Sequence, residues 1–291
     1  MTPKILVIGS EGQLGLSIKA KCNSLEAHFT FTSLETLDVT NTEDLTRTIR
    51  ADHYSYIVNC TAYTAVDKAE DESSLAFKIN AEALRTIGRS AHEKGAKVVH
   101  VSTDYVFDGT NYRPYTEEDS TAPQSVYGQS KRDGEKYLLD HNQQSIILRT
   151  SWLYSPHGNN FVKTMLRLGR ERNELKVIYD QIGSPTYADD LADVILRIIR
   201  HDMAGTIPFT PGIYHYSNEG VASWYDFTLA IHRLAGIQCK VLPIETKDYP
   251  TPAPRPHYSV LNKAKLKSTY QLEIPYWIDS LKHCISVLTN E

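Results

Sequence analysis

An apolar run, Ile5–Ile8, breaks off directly into Gly9-Ser10-Glu11-Gly12-Gln13-Leu14-Gly15. A short apolar run bounded by glycine reads as a buried strand, and the residues behind it read as the start of a helix. A strand that turns straight into a helix leaves the helix N-terminus, with its unpaired N–H groups and positive dipole end, open to an anion. The glycines matter because a Cβ would obstruct either the turn or the approach of a pyrophosphate. Their spacing is Gly-x-x-Gly-x-x-Gly, not the Gly-x-Gly-x-x-Gly of the best-known dinucleotide fingerprint. Taken alone, such a turn could be structural; directly behind a first strand it points to dinucleotide binding.

The following segments repeat the strand-then-helix unit. His28–Thr32 alternates apolar and polar residues as a second strand. At its end an acidic residue would hold the ribose 2′-hydroxyl of NAD, and an Arg would favour the phosphate of NADP. Thr32 and Ser33 stand there with Glu35 slightly late, so NADPH and NADH both stay open. Thr40 with Glu43 fits a capping box opening a helix to about Arg50. Asp38, just before it, could bind an adenine amino group or simply precede the helix start. Tyr56–Cys60 is the next strand, followed by small residues suited to a cofactor lying across the sheet edge. Ser73–Lys94 has a long helical pattern stopped by Gly95, and Asn80 interrupts its apolar face, either as a satisfied structural group or as the holder of an ordered water. Lys97–Val101 and Ser145–Arg149 are further strands. Parallel strands need crossovers, so this alternation predicts an α/β doubly wound parallel sheet. It ends near Arg149, which sets an expected dinucleotide domain at 1–150 and a smaller, mainly substrate-binding lobe at 151–291. The amphipathic segment within about 182–200 is expected to return to the first domain. Tyr214–Ser217 could be a strand, and Trp224–Leu234 a helix closed by Gly236.

The chemistry concentrates between Lys97 and Lys131. The strand Lys97–Val101 ends in Ser102, Thr103 and Asp104, and Tyr127 and Lys131 follow four residues apart. On a helix that spacing puts phenol and ammonium on one face. A phenol titrates near pH 10, and lowering it by about three units takes roughly 4 kcal/mol, within reach of two nearby cations, Lys131 and an oxidised nicotinamide. Tyr127 then serves as general acid or base, and Thr103 polarises the same substrate oxygen. The set suits a carbonyl that takes a hydride at carbon and a proton at oxygen. Near the C-terminus, TPAPRPHY crowds prolines around Arg255. That stretch reads as a turn-rich connector, or as a rigid loop aiming a guanidinium at a diphosphate.

Other classes fit poorly. Gly-x-Ser-x-Gly, His-Glu-x-x-His and the phosphate-loop signature are all absent. His100, inside an apolar strand, reads as a satisfied core histidine. The net charge of −4 with no basic tract argues against nucleic acid or an anionic membrane as partner. The N-terminus lacks a signal-peptide pattern, and Cys22, Cys60, Cys239 and Cys284 show no paired spacing, which suits reduced thiols in a cytoplasmic protein.

GSEGQLG, TAVDKAE, INAEALR, STDYVFDG, YGQSKRDGEK, RTSWLY, GNNFVKTML and TPAPRPHYSVLN, in this order across nearly the whole chain, resemble the dTDP-4-dehydrorhamnose reductases, a family of extended short-chain dehydrogenase/reductases. The resemblance implies a Rossmann-type sheet and reduction of the 4-keto group of dTDP-4-dehydro-L-rhamnose by NADPH or NADH. It assigns Tyr127 as proton donor and Lys131 to the nicotinamide ribose, with Thr103 and Asp104 at the sugar and Trp152 packed on the substrate. It sets Gly9, Gly12, Gln13, Leu14 and Gly15 at the pyrophosphate turn, Asp38 and Val39 near adenine, and Ala62, Tyr63, Thr64 and Val101 along the cofactor. Some relatives dimerise around a magnesium held by acidic residues, one of them just after the glycine turn. Leu16 and Ser17 stand there in this chain, so no metal and no such dimer is inferred, and monomer or homodimer stays open. Two other readings share the fold: a non-catalytic NADP-binding regulatory subunit of methionine adenosyltransferase, and an epimerase or reductase of another nucleotide sugar.

Overall fold

The computed structural model describes residues 2–289. Strands β1 (Lys4–Ile8), β2 (His28–Thr32), β3 (Tyr56–Asn59), β4 (Lys97–Thr103), β5 (Ser145–Thr150) and β6 (Gly212–His215) form one sheet in the order β6-β5-β4-β3-β1-β2. All its pairings are parallel. The chain moves from β1 to β2 on one side and to β3 on the other, so the strand order reverses between β1 and β3, where such sheets open a crevice at their carboxyl ends. Register places Ile8 beside Asn59 and Asn59 beside His100, while β4 continues for three more residues to Thr103. Thr103 is thereby carried past the end of its neighbour β3.

Both sheet faces are apolar because alternate residues of each strand meet different helices. Ile5, Val7, Val58, Val99 and Leu148 pack with α1 (Gln13–Lys21) and with a long helix, Ala188–Met203. Leu6, Ile8, Ile57, Val98 and Ile147 face α2 (Thr42–Arg50), α3 (Ala83–Lys94) and α4 (Val126–His141). The helix Ala188–Met203 and β6 both belong to this sheet assembly, although they follow Thr150 in the chain. A separate core around Phe227 joins the helices Phe161–Glu171, Trp224–Leu234 and Trp277–Thr289 to a parallel pair of strands, Glu174–Ile178 and Lys240–Ile244.

Three local expectations change. The cap of α2 is Asn41, whose side chain accepts from the Asp44 N–H and donates to the Asp44 carboxylate, and not Thr40 with Glu43. Thr40 is already committed, its hydroxyl donating to Asp38 at 2.8 Å. The long pattern Ser73–Lys94 is not one regular helix: after Ser73–Phe77 it widens into a π-turn over Lys78–Glu82 before α3 begins. Such widenings often mark functional sites. The edge strand starts two residues earlier than Tyr214, at Gly212.

Candidate active site

The turn after β1 divides its glycines by task. Gly9 has φ of 82°, and a Cβ on it would lie 2.7 Å from the Thr61 hydroxyl. A Cβ on Gly15 would drive into the Gly9 carbonyl, so Gly15 serves helix–turn packing. Gly12 is different: its backbone is extended, and its added Cβ would meet only the Gly9 carbonyl at an ordinary 3.5 Å. No side chain caps α1, and its first turn holds no carboxylate, so its N–H groups and dipole end stay available. The open space at Gly12 and the uncapped helix together fit a pyrophosphate. Gly12→Ala should therefore raise the dissociation constant for NADPH about tenfold or more by crowding the phosphate, with the melting temperature unchanged. Gly15→Ala should do the reverse and cost about 1–3 kcal/mol of stability. Fluorescence titration and thermal melts check both; wild-type cofactor affinity in Gly12→Ala would remove the turn from the site.

The same turn reaches the smaller core. Gln13 Oε1 accepts from the Ser155 hydroxyl and from Asn160 Nδ2, both at 3.0 Å. Asn160 caps the helix Phe161–Glu171, so a cofactor-side residue is tied directly to that helix. On the other flank, Ala62, Tyr63 and Thr64 follow β3. Asn80, in the π-turn, accepts from the Tyr63 N–H at 2.8 Å and donates to the Tyr63 carbonyl and the Ser130 hydroxyl. Asn80 is thus a satisfied clamp between this loop and α4. Gly134 is required opposite it, because a Cβ there would enter the Asn80 carbonyl.

Helix α4 starts at the Ser125 cap, whose hydroxyl accepts from the Gly128 N–H at 3.1 Å, while Glu70 accepts from the Val126 N–H at 3.0 Å. Those two anchors fix the first turn, which carries Tyr127. The Tyr127 ring meets Tyr105 edge-on at 5.4 Å. Burial pushes its phenol up to about 12, and the Thr103 hydroxyl pulls it the other way. Desolvation of the phenolate sets this direction; the lowering expected from Lys131 together with an oxidised nicotinamide belongs to the cofactor-bound enzyme. Lys131 is itself buried, which lowers it to about 8, and Nζ donates to the Val101 carbonyl at 2.7 Å. It also lies 3.2 Å from His100 Nε2. Thr103 donates to Asp104 at 2.9 Å, and burial raises the Asp104 carboxyl to about 6 against the opposing pull of Ser259 and Thr103. The other Asp104 oxygen, Oδ2, has no partner.

Trp152 follows β5 with φ of 50°, a left-handed conformation uncommon for a bulky residue. It stacks on Trp224 at 3.5 Å, and a Cβ on Gly183 would reach its ring at 2.7 Å and the Ser259 hydroxyl at 2.8 Å. Arg255 does not point free at an anion. Its guanidinium holds Asp67 with two bonds of 2.6 and 2.7 Å and lines a cavity of about 230 Å³ with Tyr105, Gln124 and Ser125. Asp38 is exposed, whereas Val39 is buried under the sheet. Asp67, Asn59, Ser130, Trp224 and Ser259 escaped the sequence reading, since each acts through a partner distant in the chain. The TAVDKAE and RPHYS motifs signal that Asp67 and Ser259 matter, but not what they touch.

Residues 3–290 match the RmlD substrate binding domain family. The chain belongs to this family. Similar RmlD-family proteins include dTDP-4-dehydrorhamnose reductase of Escherichia coli K12, 42% identical over 98% of this chain and 97% of that protein. Spore coat polysaccharide biosynthesis protein SpsK of Bacillus subtilis is 39% identical over 96% and 95%. Among solved structures, a dTDP-4-dehydrorhamnose reductase of Bacillus anthracis in complex with NADP superposes with a TM-score of 0.93 at 38% identity, covering 99% of this chain and all 100% of that one. The corresponding Clostridium acetobutylicum protein also gives a TM-score of 0.93, at 42% identity over 98% and 99%. The RmlD-family match spans both cores, so the glycine turn, the Tyr127–Lys131 helix and the Arg255 loop belong to one family framework. Among the described residues no helix is long and apolar enough to cross a membrane.

Proposed function

We propose that the chain is an NAD(P)H-dependent oxidoreductase that reduces the 4-keto group of dTDP-4-dehydro-L-rhamnose to dTDP-L-rhamnose. One observation carries this reading: a buried, protonated phenol, Tyr127, interacts with Thr103 and precedes the buried Lys131 by one helical turn, in a parallel sheet whose first strand feeds an uncapped helix N-terminus. The set occurs in a chain that covers nearly all of a dTDP-4-dehydrorhamnose reductase.

In this reading Gly12, Gln13 and Leu14 bind the pyrophosphate, Asp38 and Val39 flank adenine, and Ala62, Tyr63, Thr64 and Val101 line the remainder. A bound nicotinamide supplies the hydride. Tyr127 gives its proton to the C4 oxygen of the sugar, and Thr103 donates a hydrogen bond to that oxygen once its hydroxyl turns from Asp104. Lys131 orients the ribose, Asp104 holds a sugar hydroxyl, and Trp152, backed by Trp224, packs on the substrate. Arg255 would have to leave Asp67 to reach a diphosphate. The free cysteines suit a reducing compartment, and the reading sets the protein in the cytoplasm.

Purified protein should oxidise NADPH or NADH in proportion to added dTDP-4-dehydrorhamnose. Normal cofactor binding with no oxidation would sink the reductase reading and favour a regulatory subunit. Sugar interconversion without net cofactor use would mark an epimerase.

A further inference from the structure

Gln13 is the first residue of α1, so its backbone N–H is one of the unpaired donors at the helix start. Its side chain reaches the smaller core. Asn160 Nδ2 donates to Gln13 Oε1 at 3.0 Å, and the sense of that bond is fixed, because Asn160 Oδ1 accepts from the Lys163 N–H at 3.1 Å. A Gln13 amide turned over would set two donors face to face. The buried Ser155 hydroxyl shares its one proton between Gln13 Oε1 and the His157 carbonyl, both at 3.0 Å, so the Asn160 bond is the firmer tie.

The loop from Ser155 to Asn160 is braced on the helix that follows it. Asn160 Nδ2 also reaches the Ser155 carbonyl at 2.8 Å, and Lys163 Nζ donates to the Pro156 carbonyl at 3.2 Å. Gly158, left-handed with φ of 62°, is seated on Gln13: a Cβ on it would meet Gln13 Cγ at 3.5 Å. The next residue after Asn160 is Phe161, whose ring lies 4.5 Å from that of Trp224, and Trp224 stacks at 3.5 Å on Trp152. An unbroken series of contacts therefore runs from the anion-accepting turn to the tryptophan beyond β5. An anion that fixes the Gln13 backbone also removes freedom from its side chain, and the loop seated on it then orders at lower entropic cost.

We propose that Gln13 is a positioning residue: a dinucleotide in the glycine turn orders the loop Ser155–Asn160 through the Gln13–Asn160 bond and thereby sets Trp152 for the sugar. The first half needs only dinucleotide binding; the second rests on the reductase reading.

Hydrogen–deuterium exchange of the full chain, with and without saturating NADPH, tests the first half. NADPH should slow exchange about tenfold in peptides covering residues 157–165 of the wild type. In Gln13→Met, which keeps the length of the side chain but has no oxygen to accept with, the slowing should be less than about twofold. Peptides covering the glycine turn should be protected in both, which shows that the cofactor is bound. Equal slowing in wild type and variant overturns the proposal, as does no slowing in the wild type. Asn160→Ser cuts the bond from its other end while its hydroxyl still caps the helix, so it should behave as Gln13→Met does, and it decides should Gln13→Met not fold. For the second half, Gln13→Met at saturating NADPH should raise KM for dTDP-4-dehydrorhamnose about fivefold while kcat falls by less. A loss confined to kcat overturns the link to Trp152. Wild-type protein that binds NADPH and orders the loop but turns nothing over would defeat the reductase reading and leave the coupling standing. Wild-type protein that binds no NADPH would defeat both.

Discussion

Tyr127→Phe should lower kcat about 10²- to 10⁴-fold while the NADPH dissociation constant stays within about twofold of wild type. Only the phenolic oxygen is deleted. The ring keeps its edge contact with Tyr105, and the Ser125 cap and Glu70 anchor that start α4 are backbone interactions that do not involve the hydroxyl. The buried phenol is protonated at neutral pH, so the lost group is a proton donor and not a charge that holds the cofactor. Because an interaction made mainly in the transition state is removed, kcat and kcat/KM should fall together. Steady-state kinetics and a cofactor titration on the same sample provide the check. Turnover within about threefold of wild type would exclude Tyr127 as the donor and leave Thr103 or water in that role.

The largest stability effect should come from a pair the chemistry does not use directly. Arg149, in β5, and Glu135, in α4, are both only 4% exposed and share bonds of 2.7, 3.0 and 3.2 Å. The guanidinium also lies 5.0 Å over the Phe107 ring, and its remaining nitrogen, Nη1, has no partner. Glu135→Ala leaves a buried cation without its counter-charge, which should cost about 3–5 kcal/mol. For a chain of this size that is a fall of roughly 6–20 °C in melting temperature. The pair itself need not be stabilising, because two ions were desolvated to form it. Replacing both residues, Glu135→Leu with Arg149→Met, should therefore recover most of the loss. A single-variant cost below about 1 kcal/mol, or a double variant no better than the single, would show that the uncompensated charge is not the cause. Arg149 and Glu135 also brace the sheet beside the lysine-bearing turn of α4, so cofactor affinity should drop with stability in the single variant and return in the double.

Much of the architecture is written in local pattern. Ile5–Ile8, His28–Thr32 and the apolar core of Lys97–Thr103 read as strands because their alternation or continuous apolarity demands burial on one or both faces. Gly9 and Gly15 read as a strand-to-helix turn because a Cβ there would collide with its surroundings. Trp224–Leu234 has its expected bounds, since Ser223 and Asp226 make a complete capping box. The i, i+4 spacing of Tyr127 and Lys131 puts both on one face of α4.

What the sequence could not determine by itself depends on long-range partners and on burial. The loop prolines made Arg255 a candidate for an anion, yet Asp67, 188 residues away, takes the guanidinium in the folded chain. Sequence chemistry starts from an ordinary phenol and an ordinary ammonium at Tyr127 and Lys131; the fold buries both, and desolvation moves the phenol up and the lysine down. His100 read as a satisfied core histidine, and the register of β3 against β4, which sets Asn59 beside it, supplies partners the sequence could not name: Asn59 at 3.1 Å and Lys131 at 3.2 Å. Local pattern determined which residue types reach the carboxyl end of the sheet, because hydrophobic period and helix spacing are properties of neighbouring residues. Their protonation states and partners were decided by the tertiary structure, because charge in a buried site is set by what surrounds it and not by what adjoins it in the chain.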